Sequence, residues 1–317
     1  MTAKKYFIYI AALLTITSVQ LFGAASPKSV RKNINIMFIG DSYTYGSLAE
    51  GVTSTPYPLQ TLKYLNDKPN SPLFSFSAFG LMGSTDSSVS YEDIQNDSWT
   101  ADKVSALSNY QSLSCFHGLL AIPRIRYSDI NYLLNDHSFN DIIAKVNYGA
   151  RGWVKMISNT LIEAPEFNAK KLMSSPVIQV VVLWLGTNDM AENVSKTEDD
   201  IIPYEQLVKK LYSALDESKY SRLVLLSIPE IAVKGDGVKW MNFRLFNNVL
   251  KDFYKQHKTS YPKLLFIDLN DTSNPAIAKF NNDWTSQNYD VYPANAAPYA
   301  DISVIVSKEI LSSLSST

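Results

Sequence analysis

The stretch Asn35 to Ser47, NIMFIGDSYTYGS, runs from an apolar segment directly into Gly40-Asp41-Ser42. A serine hydroxyl is a weak nucleophile at neutral pH. It attacks an acyl carbon only when a base takes its proton and donors stabilise the oxyanion that develops. Two more polar clusters follow apolar runs: Gly186-Thr187-Asn188-Asp189 closes VIQVVVLWLG, and DVYPANAAPYADI (290–302) precedes the last helical pattern. In an open α/β sheet ligands bind outside the carboxyl ends of strands, which is where such clusters would lie. Ser42 is the candidate nucleophile and the Asn188 amide a candidate oxyanion donor. Taken singly, Asp41, Ser42 and Asn188 are also good helix-capping residues.

These clusters, in this order, resemble the SGNH (GDSL-type) hydrolases, a family of esterases, lipases and carbohydrate acetylesterases. IMFIGDSYTYG resembles the family's first block, which implies Ser42 as nucleophile, and VVVLWLGTNDM its third, which implies that Asn188 donates to the oxyanion. The family's second block adds a glycine N–H, and two stretches compete for that role. VNYGARGWV offers Gly152, with Asn147 nearby, and is favoured because 34 positions separate Gly152 from Gly186, room for a helix and a strand; FGLMGST offers Gly83. The last block places an aspartate three residues before a histidine. Here NYDVYPANAAPYADIS keeps Pro293, but Tyr292 stands at the histidine position, Tyr289 at the aspartate position, and Asp290 is displaced by one.

Neither substitute makes a good base. A phenol with a reference pKa near ~10 stays protonated at neutral pH, and a carboxylate of pKa about 4 is too weakly basic to deprotonate an alcohol efficiently. His117 and His137, the latter beside Asp136, are the histidines that an inserted segment can bring over the site; His257, in YKQHKTS, reads as a cation at a helix end. The resemblance implies hydrolysis of a carboxylic ester in a small molecule, glycan or lipid. The missing histidine raises the alternative of a binding protein for an acylated glycan or lipid that keeps the pocket with impaired turnover. Trp153, Trp184, Trp240 and Trp284 are candidate sugar-stacking surfaces as well as packing residues.

The elements that must position these residues alternate. INIMFIG (34–40), LFSFSAF (73–79), VIQVVVLWLG (177–186), RLVLLSI (222–228) and KLLFIDL (263–269) read as strands, and their near-continuous apolar character is that of a parallel sheet buried on both faces. YPLQTLKYLND, IIPYEQLVKKLYSALDES, MNFRLFNNVLKDFYKQH and YADISVIVSKEILSSL carry apolar residues at helical spacing. The pattern predicts a three-layer α/β/α fold, flavodoxin-like as in the SGNH hydrolases, with a central parallel sheet. Thr85 to Asp141 breaks the alternation and is expected to be a mostly helical insertion, about 86–141. Gly40 and Gly46 do not make the Gly-X-Gly-X-X-Gly fingerprint of a nucleotide site, and no P-loop lysine follows.

The 317 residues are 46% apolar with a formal net charge of −1, enough for a full core and without the basic field that gathers nucleic acid. Two lysines, the apolar run Tyr6 to Phe22 and the small residues of GAAS read as a signal peptide, 1–25, followed by one domain, 26–317. The expectation is a secreted or periplasmic protein that meets the membrane only through this segment if it is uncleaved. Cys115 is the single cysteine, so no intrachain disulfide forms. No cofactor is expected, and no histidine pair or cysteine cluster suggests a metal site.

Overall fold

A computed structural model describes residues 32–46, 56–69, 71–76, 82–83, 113–114, 119–121, 125–133, 179–284 and 292–315. The chain divides into Met1–Lys32, of which only Lys32 is described, and Asn33–Thr317. In the second unit, strand β1 (Asn33–Gly40) passes into a single helical turn, α1 (Ser42–Tyr45). Helix α2 (Tyr57–Asn66) leads to β2 (Leu73–Phe76). Then come β3 (Met82–Gly83), β4 (Leu113–Ser114), β5 (Leu119–Ala121) and α3 (Tyr127–Leu133). The remainder alternates: β6 (Val180–Trp184), α4 (Thr187–Met190), α5 (Ile202–Ala214), β7 (Arg222–Leu226), α6 (Gly237–His257), β8 (Leu264–Ile267), α7 (Pro275–Asp283) and α8 (Ala297–Ser315).

The central sheet is parallel, in the order β2-β1-β6-β7-β8. This is the doubly wound order whose topological switch point falls between the first and third strands of the path in sequence, here β1 and β6. Alternate residues of β1 face opposite ways, as the two-residue strand period requires. Met37 and Ile39 join one apolar layer with α3, α5 and α6, while Ile34, Ile36 and Phe38 join the other with α2, α7 and α8. The expected three-layer architecture is therefore the observed one.

The outer side of β1 is shared. β2 pairs with its first half, Asn33 to Ile36, and β5 with its second, Phe38 to Gly40. The segment expected as a helical insertion thus delivers, in its described part, a parallel strand to the central sheet at the carboxyl end of β1, followed by α3. Its strand is only Leu119–Ala121, too short for period or composition to announce it. β3 and β4 form a separate antiparallel pair with Gly83 opposite Leu113.

Candidate functional site

The β1–β6 register sets Gly40 opposite Trp184. Beyond this pair β1 turns through Asp41 into α1, which starts at Ser42, and β6 passes through Gly186 into α4, which carries Asn188, so the two clusters follow paired strand ends on the two sides of the switch point. Glycine is required at both strand ends. A Cβ on Gly40 would lie 1.7 Å from Thr44 Oγ1 and 2.8 Å from the Trp184 carbonyl, while Gly186 has φ +121° and a Cβ there would approach Phe246 Cζ to 2.7 Å. The close approach at Gly40 folds α1 back onto its own strand.

Asp41 caps this turn: its Oδ1 accepts from the Tyr43 N–H at 3.0 Å. The side chain is fully buried, its Oδ2 faces Thr187 without closing an ordinary hydrogen bond, and Thr187 Oγ1 is likewise unpaired. Burial pushes the Asp41 carboxyl up to about 7, against the lowering effect of the Tyr43 N–H and of Thr187. Thr44 Oγ1 and the Tyr57 hydroxyl are a second unpaired buried couple beside it. Asp189, also buried, accepts from the Tyr127 N–H at 3.3 Å, and burial holds its carboxyl well above the usual range. Two acids thus underlie the switch point, and each raises the cost of ionising the other.

Ser42 is 1% exposed. Asn188 is half-buried, and its Nδ2 donates to the Ile125 carbonyl at 3.0 Å, which ties α4 to the start of α3. An amide nitrogen carries two N–H groups, so one donor remains for a ligand after this tie. Tyr292 stands where the resemblance expects a histidine. It is half-buried and meets the Tyr43 ring edge-on at 6.0 Å, so the chain returns to the Ser42 turn where the last block should return. Tyr43 also meets Trp184 and Trp284, at 5.3 and 5.2 Å, and with Tyr299 these rings wall the far side of the turn.

His257 is the only histidine among the described residues, and it lies in the last turn of α6, stacked on Phe253 and Tyr261 with Nδ1 against the Phe253 carbonyl at 2.9 Å. The helix starts at the carboxyl edge and rises about 30 Å over its length, so this ring is at the opposite edge of the sheet and cannot serve Ser42. His117, His137, Gly152, Asn147, Tyr289 and Asp290 lie outside the described residues, as does the segment 1–31. Among the described residues no group of three His, Cys, Asp or Glu side chains converges as a metal site, and no helix is long and apolar enough to cross a membrane.

Two asparagines fix the loops around this edge. Asn242 of α6 accepts from Lys196 N–H and donates to the Met190, Glu192 and Val194 carbonyls, while Asn247, one turn on, accepts from Ile228 N–H and donates to the Ile228 carbonyl and Glu230. Both are buried. Asn242, Phe243, Phe246, Asn247 and Leu250 form one buried stripe at helical spacing, so the two asparagines lie on the apolar face of α6. Thr187 and Asp189 belong to the Gly186–Asp189 string already singled out for Asn188.

No protein-family model matches the chain, and no curated sequence does. One solved structure is 10% identical with a TM-score of 0.42, over 89% of this chain and 98% of its own. A gut microbial diltiazem-metabolizing enzyme is 13% identical with a TM-score of 0.42, over 92% of this chain; the chain spans 49% of that enzyme's length.

Proposed function

We propose that the chain is an SGNH (GDSL-type) hydrolase-like protein, exported by its N-terminal apolar run, that acts on carboxylic esters through Ser42. The observation that supports this reading is that the Gly40–Ser42 and Gly186–Asp189 clusters follow the paired carboxyl ends of β1 and β6 at the switch point, with Tyr292 packed edge-on against Tyr43 of the Ser42 turn. In the proposed reaction the Ser42 oxygen adds to the ester carbonyl, the alkoxide leaves with a proton, and water then releases the acid from acyl-Ser42. The Ser42 N–H, the second N–H of Asn188 and a glycine N–H, Gly152 in preference to Gly83, would stabilise the oxyanion.

A second reading is favoured by a specific observation. The ring at the histidine position is a tyrosine packed on Tyr43, and a phenol does not take a proton from serine at neutral pH. On that reading the pocket binds an acylated glycan or lipid and turns it over slowly. An oxyanion hole without a working triad retains roughly 10³–10⁴-fold catalysis over water.

The test compares wild type, Ser42→Ala, Tyr292→His and Tyr292→His with Tyr289→Asp, on p-nitrophenyl acetate and with a fluorophosphonate probe. On the second reading the expected result is weak wild-type turnover little changed in Ser42→Ala, and a rise in Tyr292→His that grows further when Tyr289→Asp is added. The first reading expects rapid wild-type labelling at Ser42 with turnover collapsing in Ser42→Ala, which would identify a working base and direct attention to His137 and His117. No rise in either Tyr292→His variant removes the assignment of this position as the lost base.

A further inference from the structure

Two strands along from β1, a pocket of about 400 Å³ opens beyond the carboxyl ends of β7 and β8, within the size range of small-molecule sites. Glu230, Ile231, Lys234 and Gly235 come from the turn after β7, Trp240 from α6, Asn270 from the turn after β8 and Asn281 from α7. The polar atoms are held before any ligand arrives. Asn281 donates through Nδ2 to the Leu269 and Ile277 carbonyls at 2.7 and 2.9 Å, which leaves its Oδ1 as an oriented acceptor. Asn270 accepts from the Glu230 N–H at 2.9 Å and Asn247 donates to Glu230 Oε1 at 3.1 Å, so the second carboxylate oxygen of Glu230 is positioned by partners on two other elements.

Trp240 supplies the apolar surface. It is 37% exposed, and the Arg244 guanidinium lies 4.8 Å from its ring centroid, which braces the indole and leaves one face at most for a ligand. Lys234 adds a donor on a flexible stem.

This set selects among ligand classes. Glu230 and Lys234 leave the lining without net charge, so an anion meets the Glu230 carboxylate along with the lysine and is not selected, and the single carboxylate is too few for a metal. An acyl chain would find only Ile231 and Trp240 as apolar contacts. Hydroxyl groups donate to fixed acceptors, and the C–H edge of a ring suits the electron-rich face of an indole. We infer that this pocket binds one ring of a neutral, hydroxyl-rich saccharide. The strand ends beneath it lie two and three spacings, about 10 to 15 Å, along the sheet from β1. The inference rests on the pocket alone and does not require Ser42 to react.

The test titrates cellotetraose, xylotetraose and chitotetraose into the full chain carrying Ser42→Ala, followed by calorimetry and by tryptophan fluorescence, with inorganic phosphate and hexanoate as counter-probes. At least one tetrasaccharide is expected to bind saturably and as tightly as to wild type, and neither counter-probe to displace it. Trp240→Ala should weaken binding about tenfold or more, in line with the loss of an aromatic anchor. Glu230→Gln, which keeps the shape, should weaken it severalfold with an unchanged urea midpoint. No binding by any of the three sugars, or unchanged affinity in both variants, overturns the proposal. Because binding is read in the Ser42→Ala chain, its failure is separate from a failure of the ester reading, which fluorophosphonate labelling reports.

Discussion

Replacing Asp41 by Asn should change the pH dependence of stability in a direction fixed by its burial. The carboxyl is fully buried, with one oxygen capping Tyr43 and the other facing Thr187, and its pKa rises from 3.8 to about 7. The folded state therefore holds a proton that the unfolded chain has already released between these two values. Stability from this group is fully present below about pH 4, falls as pH rises and is lost above about pH 7. At about 1.36 kcal/mol per pH unit, the interval of 7 − 3.8 = 3.2 corresponds to roughly 4 kcal/mol, an upper figure for a group whose surroundings relax. Asparagine keeps the acceptor for Tyr43 N–H and presents an amide to Thr187 without a charge, so it mimics the neutral acid. Urea denaturation of wild type and Asp41→Asn should give similar stabilities at pH 4 and a variant more stable by several kcal/mol at pH 8. Asp41→Asn also removes the charge that holds the Asp189 carboxyl up, which adds to the gain of the variant at high pH in the same direction. A gap that is constant between pH 4 and pH 8, or that favours wild type at pH 8, refutes the reasoning.

Gly40→Ala places a methyl 1.7 Å from Thr44 Oγ1 and 2.4 Å from Thr44 Cβ, so the α1 turn must move off β1; a loss of about 3 kcal/mol in chemical denaturation is expected. Asn242→Leu preserves bulk but leaves Lys196 N–H and the Met190, Glu192 and Val194 carbonyls without their partner; a loss of about 3 kcal/mol, with faster amide exchange across 190–196, is the expected outcome.

Much of the scaffold is legible in the residues themselves. VVVLW and, after Arg222, LVLL are apolar at every position because both faces of β6 and β7 are covered, and the boundaries differ from those read from pattern by at most three residues. β5 escapes because three residues carry no period. Helix α7, PAIAKFNND, escapes because only Ile277 and Phe280 are buried on it, a stripe too thin to stand out. At the site, the strand-end glycines and Ser42 are plain from GDS and GTND, whereas the burial of Asp41 and Asp189 is not, since a carboxylate at a strand end reads as a solvated cap until the covering rings of Tyr43, Tyr57 and Tyr127 are in place. The asparagines of α6 pass for its polar face for the same reason: hydropathy records what a side chain prefers, and their partners are backbone groups far away in sequence.

The β1–β6 register carries a consequence for the order of folding. Val180 meets Arg222, and Leu223 meets Leu264, across 42 and 41 positions, the first spanned by α4 and α5 and the second by α6, so β6, β7 and β8 with these helices are a contiguous unit able to form on its own segment of chain. Ile36 meets Val180 across 144 positions. The additional closure entropy is only about 1 kcal/mol, since it grows with the logarithm of loop length, but the search is long and its reward arrives late. Asp41 and Thr187 come together only when that closure succeeds. A chain that has completed its carboxyl-terminal half still lacks the switch point, and the appearance of that crevice is a report that β1 has docked on β6.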